Sequence, residues 1–123
     1  MAHLPADVDP VAAVMLADMV PTGFHGVELA DVQFGDDVCV VGIGPVGLMS
    51  VAGAALHGAA TSCCSSARVR SCAEAARRYG ATEILNYREG DIVAQVMEKT
   101  NGRGVDRVII AGGDAEWHDS ARP

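Results

Sequence analysis

Aromatic side chains are scarce: one Trp, two Tyr and two Phe make up 4% of 123 residues. A core without large rings has to be assembled from small aliphatic groups, and Ala, Gly and Val are plentiful here. Such residues suit helices lying close on a parallel sheet. Positive charge is also short, with nine Lys and Arg against sixteen Asp and Glu, a formal net charge of −7. That balance argues against nucleic acid or an anionic membrane surface as the main partner. It leaves an anionic cofactor open, because local donors at a loop decide such a contact. Cys39, Cys63, Cys64 and Cys72 show no metal-type C-x-x-C spacing, and the vicinal pair has no further ligand beside it. The start, Met1-Ala2-His3-Leu4-Pro5, lacks the basic-then-apolar pattern of a secretory leader. Reduced thiols in a cytoplasmic protein are therefore expected. From Val38 to Ala67 there is no Asp, Glu, Lys or Arg, a run long enough for a membrane span. Its five glycines, Pro45 and polar second half instead predict a buried strand, turn and helix.

What is present starts with half the residues apolar and a fifth charged, the balance of a globular chain rather than a disordered one. The length allows one domain at most, and there is no internal repeat or low-complexity linker. The central motif is Gly42-Ile43-Gly44-Pro45-Val46-Gly47, which follows the apolar run Val38 to Val41 and opens a helical stretch toward His57. Strand, G-x-G-x-x-G, then helix is the context of a dinucleotide-binding loop. Gly42 is expected to turn the chain tightly off the strand, Gly44 to let the backbone approach a pyrophosphate, and Gly47 to let the helix pack closely. The helix start offers free N–H groups to the phosphates, and Pro45 suits its first turn.

Along the chain, Val11 to Met19 predicts a helix that ends near Pro21, and Thr22 to Gly26 a turn or helix restart. Val27 to Val32 runs toward the turn Gly35-Asp36-Asp37. The helix after the glycines is apolar nearly all round, so it should be covered on both sides and stop at Gly58. Helices are expected at Cys72 to Tyr79 and after an Asp91 cap, the latter with Ile92, Val93, Val96 and Met97 on one face. Strands are expected at Glu83 to Tyr87 and Val105 to Ala111. Strands alternating with helices imply right-handed βαβ units. The fold expected is α/β, a Rossmann-type doubly wound parallel sheet truncated to about four strands, with one edge bare.

These residues resemble a family. Val11-Ala12-Ala13-Val14-Met15, Asp18-Met19, Thr22-Gly23-Phe24-His25-Gly26, Glu28-Leu29-Ala30-Asp31 and Gly42 to Met49 are similar to the zinc-dependent, NADP-linked secondary alcohol dehydrogenases of the medium-chain superfamily. Tyr79-Gly80-Ala81-Thr82, Ile84-Leu85-Asn86-Tyr87 and Thr100 to Gly113 continue the resemblance. It covers residues 1 to about 60 and about 72 to 113, a minor part of a family member. It implies residues 1–34 as a helical lead-in from a catalytic domain, 35–113 as an NADP-binding core and 114–123 as an irregular tail. It also implies a homo-oligomeric oxidoreductase passing hydride between NADP(H) and short secondary alcohols or ketones. Asp18 would be a ligand of the catalytic zinc, whose Cys and His ligands lie in the catalytic domain; Met19 would line the substrate side, and His25 is given no catalytic role.

An NAD-binding fold usually carries an acid about 20 residues past the glycines, for the ribose 2′-hydroxyl. Between Gly58 and Ala73 there is none, while Arg68 and Arg70 are present. A guanidinium there attracts a 2′-phosphate that a carboxylate would repel. The family uses a Gly-Ser-Arg run and the tyrosine of Asn-Tyr; Arg68 and Tyr87 match that arginine and tyrosine, with Ser66 and Ala67 where Gly-Ser would stand. Gly112 and Gly113 would border the nucleotide. One stretch departs: Thr61-Ser62-Cys63-Cys64-Ser65-Ser66 stands where the family has an apolar β-branched strand. Small polar residues fill a doubly buried strand poorly, so this strand is expected to be damaged, as by a frame error, and the tail after Gly113 with it. The chain alone is expected to show no turnover. A non-catalytic nucleotide-binding module, a poorly folded remnant, or a relative acting on polyols or amino alcohols remain open at this point.

Overall fold

The computed structural model describes residues 3–65 and 70–112, with residues 61–65 described by their backbone. After its aspartate, β1 (Asp37–Val41) is an unbroken apolar run, as a strand covered on both faces requires. It leads into α3 (Pro45–Leu56), preceded in the chain by α1 (Pro10–Ala17) and α2 (Met19–Leu29). Then come β2 (Ala60–Ser65), α4 (Arg70–Arg78), β3 (Glu83–Asn86), a 3-10 turn at Tyr87–Glu89, α5 (Ile92–Lys99) and β4 (Arg107–Ile110). The sheet order is β3-β2-β1-β4 and every pairing is parallel. The chain thus winds outward from β1 to β3 and then crosses back to β4, the doubly wound expectation.

Strand alternation sorts the core onto two faces. Val38 and Val40 are fully buried with Val27, Val51 and Ala54, beneath α2 and α3. Cys39 turns the other way and joins Leu85, against which Ile92 and Val96 of α5 pack. Each of these buried valines contributes about 1.5–3 kcal/mol, an upper figure because the unfolded chain already hides some surface. On α5 the expected single apolar face divides: Ile92 and Val96 pack inward, while Val93 is 67% exposed. Helix α3 meets its expectation. It is covered by the sheet on one side and by α2 on the other, and it stops at Gly58 in the left-handed region.

The lead-in differs from the sequence expectation. The first helix breaks at Asp18, whose backbone is non-helical, and α2 then runs straight through Pro21. Pro21 is tolerated because it lies in the first turn, where an N–H would have no helical acceptor. The stretch from Thr22 to Gly26 is continuous helix, not a turn. Of its two glycines, each costing about 1 kcal/mol as a helix residue, Gly23 is required by contact. A Cβ on Gly23 would lie 2.5 Å from the Met49 Cβ.

Strand and helix ends shift by one or two residues. The helix expected from Cys72 begins at Arg70, the strand expected to Tyr87 stops at Asn86, and β4 is confined to Arg107–Ile110. The strand expected to be damaged is present: β2 pairs with β1 from Asp37↔Ala60 to Val41↔Cys64 and with β3 from Ser62↔Glu83 to Ser65↔Asn86. Ladder hydrogen bonds come from the backbone, so two neighbouring strands can template a central one of poor side-chain composition. Among the described residues no helix is long and apolar enough to cross a membrane.

Candidate functional site

The carboxy-terminal ends of the four strands lie together, and the glycine loop crowns them. Gly42 follows β1 with a φ of +90°, and a Cβ there would lie 3.2 Å from the Gly112 carbonyl oxygen. The turn and the end of β4 are thus in close approach, tied by the Ala111 amide donating to Val41 O at 2.9 Å. Gly47 is buried, and a Cβ on it would fall within 1.8 Å of the Gly42 carbonyl oxygen. No side chain fits there. Gly44 caps α3 with an ordinary φ of −73°, is exposed, and has none of the described residues within 4 Å of where a Cβ would stand. Pro45 and Val46 open the helix, and the Leu48 amide makes a first helical hydrogen bond to Gly44 O at 2.9 Å. By helix geometry the amides of Val46 and Gly47 have no acceptor within it. They add to the positive end of the helix dipole.

Two strands away, Tyr87 leaves the end of β3 and is 41% exposed. At about 4.8 Å per strand it stands about 10 Å from the loop across the sheet, the scale of half a dinucleotide. Its turn is held firmly. Asn86 Oδ1 accepts from the Arg88 amide at 3.0 Å, and Gln95 Nε2 donates to Asn86 O at 2.9 Å. Arg88 carries its guanidinium over the Tyr87 ring, 6.0 Å from the centroid. The sequence reading passed over Arg88; the signal available was an Asn before the turn that could cap it. Arg68 and Gly113 lie outside the described residues, as do Ser66, Ala67 and the tail.

Asp18 comes to the same end of the molecule. Helices α2 and α3 run parallel, since Gly23 meets Met49 and Ser50 while Gly53, further on, meets Val27 and Phe24. Their starts are therefore level, each about 7 Å before that first contact at 1.5 Å per residue. The Asp18 carboxylate is exposed, and its Oδ1 accepts from Thr22 Oγ1 at 2.7 Å. One carboxylate cannot hold a metal: among the described residues no group of three His, Cys, Asp or Glu is placed to do so. A cavity of about 330 Å³ lined by Glu83, Leu85, Gln95 and Glu98 lies beside β3 and α5, away from the glycine loop.

Residues 45–122 match the zinc-binding dehydrogenase family. The NADP-dependent isopropanol dehydrogenase of Entamoeba histolytica is 58% identical over 114 residues, 93% of this chain and 31% of that protein. That of Thermoanaerobacter brockii is 54% identical over 116 residues, 94% of this chain and 33% of that protein. Among solved structures, alcohol dehydrogenase TADH from Thermus sp. ATN1 superposes with a TM-score of 0.79 at 32% identity, covering 98% of this chain and 34% of its own. The chain spans about a third of the length of these relatives. A glycine loop at a strand-to-helix junction, a parallel β3-β2-β1-β4 sheet and this family match agree, and the chain belongs to the zinc-binding dehydrogenase family.

Proposed function

We propose that this chain forms the NADP-binding part of an alcohol dehydrogenase acting on short secondary alcohols and ketones. The observation that carries the reading is Gly44. Gly42 is demanded by its turn and Gly47 by contact, whereas nothing among the described residues forbids a side chain at Gly44. A bare backbone facing open space at a helix start fits close approach by a pyrophosphate. In this reading Gly42, Gly44, Pro45, Val46 and Gly47 hold the pyrophosphate. Arg68 and Tyr87 hold the adenosine phosphate, and Gly112 and Gly113 border the nucleotide. The segments 1–34 and 35–113 act as lead-in and binding core. NADP would supply or accept the hydride, and zinc would polarise the substrate oxygen. Asp18 would give one carboxylate oxygen to that zinc, its orientation set by Thr22.

Titration of the chain with NADPH tests this directly: saturable binding with a raised melting temperature is expected. No binding at millimolar NADPH would end the proposal. The same preparation with zinc, NADPH and acetone should leave the cofactor reduced, because Asp18 lacks companion ligands among the described residues. That lack favours a second reading for the chain by itself, a nucleotide-binding module without turnover. Rapid NADPH oxidation would exclude it.

A further inference from the structure

We propose that Arg88 is a specificity determinant for the phosphorylated nucleotide, acting beside Tyr87 on the 2′-phosphate. The inference rests on the nucleotide-binding reading of the glycine loop and extends it to a residue outside the loop. Arg88 stands two residues past the end of β3, at the same carboxy-terminal edge as the loop. Its guanidinium lies over the Tyr87 ring, 6.0 Å from the centroid, so phenol and cation form one unit. The backbone beneath does not drift. Asn86 caps the Arg88 amide, and Gln95 bonds the Asn86 amide at 3.2 Å, the Asn86 carbonyl at 2.9 Å and the Gly90 carbonyl at 3.1 Å.

Charge in the corner favours an anion. Arg88 has no carboxylate partner among the described residues, unlike Arg103 and Arg107. The neighbouring acid, Glu89, has one oxygen engaged by Asn86 Nδ2 at 2.9 Å. In the sequence no Asp or Glu occurs between Gly58 and Ala73, where an acid selecting a free ribose hydroxyl would stand. A planar guanidinium beside an aromatic ring can meet two phosphate oxygens together.

The test uses the adenosine halves alone, 2′,5′-ADP and 5′-AMP, titrated against the full chain and its Arg88→Gln and Arg88→Lys variants by calorimetry. Arg88→Gln should weaken 2′,5′-ADP about 1.4- to five-fold, the range of an exposed ion pair, and leave 5′-AMP unchanged. Arg88→Lys should restore part of the loss, and added salt should erase the difference between wild type and Arg88→Gln. Melting curves establish that the variants are folded. Equal weakening of both nucleotides, or no weakening of either, would overturn the role of Arg88 while leaving the glycine-loop reading intact. A wild-type chain that binds neither nucleotide would overturn both.

Discussion

At the amino-terminal ends of β1 and β4, charges are paired with charges; at the carboxy-terminal ends of the same strands, backbone is left bare. Arg107 Nε meets Asp36 Oδ2 at 3.1 Å and Arg103 Nη2 meets Asp37 Oδ2 at 3.2 Å. The Asp37 amide donates to Asp106 Oδ2 at 2.8 Å, and the Asp106 amide returns to Asp37 O at 2.8 Å. That end clamps β4 onto β1. The opposite end carries Gly42, Gly44, Gly47 and Gly112, helix-start amides without helical acceptors, and Arg88 without an acid partner among the described residues. One end has satisfied its polar groups and holds the sheet together. The other leaves helix-start amides without helical acceptors.

Within the loop the contrast repeats between two glycines, and substitution separates them. Gly47→Ala should have the largest effect: with the Gly42 carbonyl oxygen 1.8 Å from the new Cβ, the loop or α3 must move. A loss on the order of 3 kcal/mol or more is expected from such overpacking, read by chemical denaturation. A Gly47→Ala chain as stable as wild type would mean that the close packing of α3 on the loop is not a constraint. Gly44→Ala should sharpen the contrast. Its φ is ordinary and its Cβ meets none of the described residues, so stability should change by less than about 1 kcal/mol, the scale of an N-cap preference. NADPH affinity should nevertheless fall roughly ten-fold, the worth of one lost hydrogen bond to a charged oxygen. Equal affinity in Gly44→Ala and wild type would place the phosphates elsewhere.

The smallest effect belongs to the clamped end. The Gln33 amide, donating at 2.9 Å, and the Arg107 guanidinium hold the Asp36 carboxyl below its ordinary value. A carboxyl depressed by folding stabilises the fold above its unfolded pKa, and that stability is lost as pH falls through the folded value. The loss therefore begins near 3.8 and continues below it. Melting temperature measured from neutral pH into this range should fall more steeply for wild type than for Asp36→Asn. Identical slopes would show that the clamp carries no pH-dependent stability. NADPH affinity should be unaffected by Asp36→Asn at neutral pH, because the clamp lies at the far end of the sheet.

Much of the sheet was legible because short-range chemistry decides it. Asp91 announces α5 and accepts from the Val93 and Ala94 amides, and Gly58 and Gly80 stop their helices in the left-handed region. The glycine loop was legible for the same reason, since a positive φ at Gly42 and a small residue at Gly47 are written in residue type. The course of α2 was not. Pro21 and Gly23 read locally as breakers, and only the partner surface of Met49 and Ser50 makes a glycine-bearing helix favourable there. The period places Val93 on one face with Ile92 and Val96, yet it is 67% exposed because no described element covers that side of α5.

Taken by itself, the order of residues determined the strand–glycine–helix junction, the alternation of strands with helices and the lack of any Asp or Glu between Gly58 and Ala73. These depend on backbone freedom and charge within a few positions of each other. Tertiary structure alone decided that β2 pairs on both sides, that Asp18 lies level with the start of α3, and that Arg88 lies over Tyr87. Those outcomes depend on which surfaces meet. Contact between distant segments is a property of the packed chain, not of any local run within it.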